Sequence, residues 1–95
     1  MSIEEPMLAG APALQVTLFT RAGCHLCDEA KAVMQPLLAR FGAALNEVDV
    51  DGDEGLRERY GNDVPVIFLG GRKVAKHRVD ARQFERQLAE AARGS

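Results

Sequence analysis

Val16-Thr17-Leu18-Phe19-Thr20-Arg21-Ala22-Gly23-Cys24-His25-Leu26-Cys27 carries the chain from an extended segment into a helix, with two cysteines at the join. They are the only cysteines in 95 residues. At i and i+3 of one helical turn their side chains share a face and can close into a disulfide. A helix N-terminus favours negative charge, so the Cys24 thiol is expected to ionise more readily than a free cysteine. The pair then supplies a nucleophilic thiolate, Cys24, and a second thiol, Cys27, to resolve whatever Cys24 attacks. Beside a strand–helix–strand pattern this spacing reads as a redox motif.

Working outward, Leu14 to Thr20 alternates apolar and polar residues before turning apolar, which predicts a strand. From Cys24 to about Arg40, apolar residues recur at helical spacing through Leu26, Ala30, Met34, Leu38 and Phe41. Pro36 lacks an N–H and crowds the Ala32 carbonyl, predicting a kink, and Gly42 ends the helix. Leu45 to Val50 reads as a second strand with Val48 and Val50 on one face. Asp51 or Asp53 caps a short helix carrying Leu56 and Tyr60 and ended by Gly61. Val64-Pro65-Val66-Ile67-Phe68-Leu69 is a third strand, too apolar to face water on either side. Gly70-Gly71 signals a hairpin into Arg72–Lys76, and Asp80 with Gln83 opens a last helix that Gly94 closes. The order is β-α-β-α-β-β-α. One right-handed crossover and one hairpin give a mixed four-stranded sheet flanked by helices on both faces.

Bulk properties bound the function. Net charge is −2 with both signs interspersed, so nothing points to nucleic acid or a membrane surface. No apolar run approaches the ~18 residues of a membrane span. Residues 1–13 contain Pro6, Gly10 and Pro12 without periodicity and read as a flexible tail; residues 14–93 read as one domain. Glu4 and Glu5 stand where an export signal would be basic, so the expected compartment is a reducing cytoplasm and the expected state a monomer. Tyr60 and Phe68 read as core, His77 as a surface residue. Asp49, Asp51, Asp53 and Glu54 lack the spacing of a calcium loop and read as solvated charge.

Pro65 sits at the mouth of an apolar strand, where a missing N–H costs a ladder bond. It is either a tolerated first-residue proline or the site of a cis peptide after Val64. With the C-x-x-C at a helix start, Tyr60-Gly61-x-x-Val64-Pro65 before an apolar strand, Gly70-Gly71 and a final amphipathic helix, the chain resembles the thioredoxin superfamily. Its compactness resembles the small glutaredoxin-like proteins of bacteria, over residues 14 to 92.

The resemblance implies a thiol–disulfide oxidoreductase, with Cys24 attacking and Cys27 resolving. It implies that Pro65 is cis and packs against the disulfide, and that the Val64 backbone pairs with a bound thiol peptide or glutathione. Arg21 stands where glutaredoxins carry a lysine that meets the nucleophile or a glutathione carboxylate. His25, between the cysteines, would donate to the Cys24 thiolate and modulate it. Glutaredoxins usually end their fourth strand with Gly-Gly and follow it with Cys-Asp or a similar pair, which grips the γ-glutamyl end of glutathione. Here Ala75-Lys76-His77-Arg78 stands there instead, so Lys76 and Arg78 offer charge without the glycine backbone. No bound cofactor is expected, with glutathione as a co-substrate. The partners are a disulfide-containing protein or glutathione mixed disulfide, and a reductase or glutathione as electron donor. Other classes stay open: a C-x-x-C metal-binding or metallochaperone module, and a non-catalytic thioredoxin-fold interaction protein. The metallochaperone order, β-α-β-β-α-β, differs from this one. A glutaredoxin binding an iron–sulfur cluster usually has one active-site cysteine, which Cys27 contradicts.

Overall fold

A computed structural model describes residues 14–94. The tail read at residues 1–13 lies outside the described residues. The elements follow as β1 (Gln15–Thr20), α1 (His25–Phe41), β2 (Ala44–Asp49), a 3₁₀ turn (Val50–Gly52), α2 (Glu54–Tyr60), β3 (Val66–Leu69), β4 (Arg72–Lys76) and α3 (Ala81–Gly94). The sheet order is β2-β1-β3-β4. β1 runs parallel to β2 through the α1 crossover and antiparallel to β3, and the β3–β4 hairpin closes on Gly70-Gly71. This is the mixed four-stranded architecture that the element order implies.

Local chemistry sets the boundaries. Gly42 ends α1 in the left-handed region, at φ 66°, where its N–H reaches the last carbonyls of the helix. Asp53, not Asp51, caps α2, accepting from the Leu56 N–H at 3.1 Å. Asp80 opens α3 by accepting from the N–H groups of Arg82 and Gln83. α1 runs on through Pro36 as one helix, with Pro36 and Ala32 both exposed, so the carbonyl deprived of its partner lies on the solvent side. One expectation needs correction. Val50 is not in the second strand. It begins the 3₁₀ turn, which Asp49 caps by accepting from Asp51 N–H at 2.9 Å, and it is fully buried there.

Side chains alternate across a strand, so β1 sends Val16 and Leu18 one way and Phe19 the other. On the first side Leu14, Val16, Leu18 and Ile67 meet Met34 and Leu38 of α1 and Phe84 and Leu88 of α3, forming the main core. An ion pair between Arg40 and Glu85 joins the two helices at the surface. On the second side Phe19 stacks on Tyr60 at 4.6 Å between ring centroids, and Phe68 meets both rings edge-on at 5.7 and 6.1 Å. All three rings are half-buried, so Tyr60 and Phe68 belong to a thin second layer under α2 rather than to the main core. Among the described residues no helix is long and apolar enough to cross a membrane.

Candidate functional site

β1 delivers the chain to a three-residue loop, Arg21 to Gly23, and Gly23 takes φ 76°, the left-handed turn that redirects the backbone into α1. Cys24 is the N-cap of that helix, with extended backbone (φ −90°, ψ 105°). Its Sγ accepts a hydrogen bond from the Cys27 N–H at 3.0 Å, the place a serine or aspartate oxygen takes in an ordinary cap. Cys24 and Cys27 form a disulfide, with Cα atoms 5.2 Å apart. Cys24 is half-buried and Cys27 only 3% exposed, so the first cysteine is the more accessible of the two and the second lies one turn inside. In the reduced pair the N–H aimed at Cys24 and the positive helix end both favour its thiolate.

The loops around the pair converge at the end of the sheet where β1 stops. Val66 pairs with Phe19, which brings Pro65 and Val64 to that same end. Pro65 is fully buried, Val64 is half-buried, and the peptide bond between them is cis. The Pro65 carbonyl accepts from the His77 N–H at 2.8 Å, which ties the β4–α3 connection to this segment. His77 itself has φ 71°, and Arg78 N–H bonds Lys76 O two residues back at 2.8 Å. The positive-φ backbone usually given to glycine is here taken by a histidine, whose side chain remains where a glycine would leave the backbone open. The exposed His77 ring lies 3.8 Å from Asp63, across to the α2–β3 loop.

Arg21 has other partners than those the resemblance implies. Its Nε and Nη2 donate to the two carboxylate oxygens of Asp51 at 3.2 and 2.7 Å, and its Nη1 donates to the Gly61 carbonyl at 3.0 Å. One planar fork thus ties together the loop before Cys24, the turn after β2 and the C-terminus of α2. Gly61 is fixed by space: a Cβ there would overlap the Arg57 carbonyl oxygen. Neither Asp51 nor Gly61 stood out in the sequence as a partner of Arg21, because Asp51 resembles one more helix cap and Gly61 a helix terminator. A double-mutant cycle with Arg21→Met and Asp51→Asn should give a coupling of about 0.5–1 kcal/mol in urea unfolding, shrinking as salt is added. Zero coupling at low salt would show that the clamp does not hold in solution.

His25 is exposed and makes no hydrogen bond to either sulfur. Lys76 and Arg78 are exposed. Arg78 and His77 face Leu26, Glu29 and Val33 of α1 across a depression of about 220 Å³ beside the cysteine turn. The acidic run after β2 is occupied internally: Asp49 and Asp53 cap, and Asp51 holds Arg21. Among the described residues no three of His, Cys, Asp and Glu are grouped to hold a metal.

Comparison with known proteins gives one consistent picture. The glutaredoxin-like domain (DUF836) family matches residues 15–89. An uncharacterized protein of Mycobacterium tuberculosis is 34% identical over 86 residues, covering 85% of this chain and 89% of its own. A structure of protein XcR50 from X. campestris is 33% identical with a TM-score of 0.67, over 79% of this chain and 96% of that one. A thioredoxin mutant from Halobacterium salinarum, 21% identical with a TM-score of 0.61 over 96% of this chain and 84% of its own, shares the fold. The fold is thioredoxin-like.

Proposed function

The chain belongs to the glutaredoxin-like domain family, and from that premise we propose that it is a thiol–disulfide oxidoreductase working through the Cys24/Cys27 dithiol. The observation that carries this reading is the asymmetry of the pair. Cys24 is a half-buried N-cap with an amide donor on its sulfur, and Cys27 is fully buried within bonding reach. The Cys24 thiolate attacks one sulfur of a substrate disulfide, forming a mixed disulfide and expelling the other substrate sulfur as a thiolate that takes up a proton. Cys27 then loses its proton and attacks the Cys24 sulfur, releasing the second substrate thiol and leaving the Cys24–Cys27 disulfide. Two electrons pass to the substrate, and an external thiol donor in a reducing compartment restores the dithiol. Val64 and Pro65 edge the groove where the substrate chain lies, with Lys76 and Arg78 on its basic side.

Glutathione is a weak donor on this reading. His77 supplies the left-handed turn, but side chains stand at Ala75, Lys76 and His77 where glycines would let a ligand approach the backbone. The test is a pair of reductase assays on a protein disulfide, one coupled to glutathione and its reductase, the other to thioredoxin reductase. Disulfide reduction is expected with at least one donor, and glutathione-coupled turnover should fall steeply with salt. No reduction with either donor, or with a chemical dithiol, would remove the oxidoreductase reading.

A further inference from the structure

Eight of the twelve Lys and Arg side chains have no ion-pair partner among the described residues, and four of those eight lie on or just beyond one sheet edge. Arg21, Lys31, Arg40 and Arg57 each pair with an acid. Arg72, Lys73, Lys76 and Arg78 are exposed, and none has an ion-pair partner among the described residues. Three of these cations lie on β4, an edge strand bonded only to β3. Lysines on an edge, and the register shift at Ile67/Phe68, deter unwanted pairing. That role accounts for Lys73, which lines none of the depressions around β4 and α3. It leaves unexplained Arg78, which lies beyond the strand, and the furrow that these residues flank.

The furrow runs between β4 and α3. Its far stretch, about 180 Å³, is lined by Leu69, Arg72, Val74 and Gln87, with Glu90 at its outer end. Val74 and Gln87 lead into a stretch of about 420 Å³ with Ala75 and Phe84 at its apolar side and Lys76 and Arg78 at its cationic side. Asp80 also lines it, with its Oδ1 engaged by the first amides of α3. Arg78 and Val79 then continue the furrow into the depression against Leu26 and Glu29, in the helical turn of Cys27. In the middle stretch Lys76 and Arg78 stand against Asp80 alone, whose Oδ1 the first amides of α3 already engage, so an apolar floor lies beside a cationic excess and matches an extended segment that alternates apolar and acidic side chains.

We propose that this furrow receives an acidic, partly apolar extended segment of a protein disulfide substrate and holds it so that its disulfide meets Cys24. The proposal rests on the oxidoreductase reading for the chemistry and on the furrow alone for the binding. Carboxylates of the segment meet Arg72, Lys76 and Arg78, and its apolar side chains cover Val74, Ala75 and Val79. Specificity for acidic partners then comes from a surface separate from the cysteines.

Binding and chemistry can be tested apart. Two short cysteine-free peptides, one alternating Glu with Val and the other Lys with Val, are titrated into isotope-labelled oxidised protein and followed by NMR. The Glu peptide should bind about tenfold or more tightly than the Lys peptide at low salt, shift the amides of Val74, Ala75, Val79 and Gln87, and weaken as salt is added. Arg72→Glu combined with Gln87→Glu should erase that preference. Equal binding, no binding, shifts centred elsewhere, or a concentration-dependent dimer that protects the furrow amides would each overturn the proposal. The same peptides, extended by a cysteine held in a mixed disulfide, then report on chemistry. Faster reduction of the Glu peptide supports the substrate role, and tight binding without faster reduction overturns it. Reduction of neither peptide, with binding intact, counts against the oxidoreductase reading and leaves the furrow's preference for acidic segments standing.

Discussion

Cys24→Ser should lower disulfide reduction by about three orders of magnitude or more, to the level of uncatalysed exchange, because the hydroxyl that replaces the thiol cannot attack a disulfide at neutral pH. Cys27→Ser should behave differently. Its Cys24 still attacks, and the reaction stops at a mixed disulfide with the substrate, which gel mobility under non-reducing conditions detects. The difference follows from exposure: Cys24 is half-buried and Cys27 is only 3% exposed. The same contrast predicts that alkylation of the reduced wild type near neutral pH labels Cys24 first, as peptide mapping would report. Cys27 labelled first, or a Cys27→Ser protein that traps nothing while Cys24→Ser does, would reverse the assigned roles.

Much of this site is legible in the sequence because its parts obey local rules. The cysteine spacing, the glycine before it and the helical periodicity after it place Cys24 at an N-terminus without tertiary information. Gly42 and Gly70 likewise mark positions whose backbone few other residues adopt. The partners of Arg21 are not legible in this way. Asp51 lies 30 positions from it and the Gly61 carbonyl 40, and a surface carboxylate or a backbone oxygen carries no sequence mark of its distant donor. His77 escapes notice for the opposite reason. Its left-handed backbone breaks the local preference for glycine, and only the bond from its N–H to the Pro65 carbonyl reveals what the turn serves. Val50 is missed because an apolar residue after alternating ones looks like more strand, whereas the Asp49 cap turns the chain and buries Val50 from another direction.

Phe84→Ala should cost about 3–5 kcal/mol, the largest stability loss of the substitutions considered. Phe84 is 1% exposed and belongs to the cluster that joins β1, α1, β3 and α3. Truncation removes the burial of an aromatic ring and leaves a cavity that helices on both sides can only partly close. A domain of this size has about 5–15 kcal/mol of stability in all, so the midpoint of thermal unfolding should fall by about 15–30 °C. Lys31→Ala is the comparison. It breaks a pair with Glu47 whose side chains are 34% and 45% exposed, and it should change stability by no more than about 0.5 kcal/mol. Phe84 also lines the furrow beside β4, so its loss should weaken binding of an acidic peptide even at temperatures where the variant remains folded. If Phe84→Ala cost as little as Lys31→Ala, the place of Phe84 in the main core would be wrong, because no other buried aromatic ring joins α3 to the sheet among the described residues.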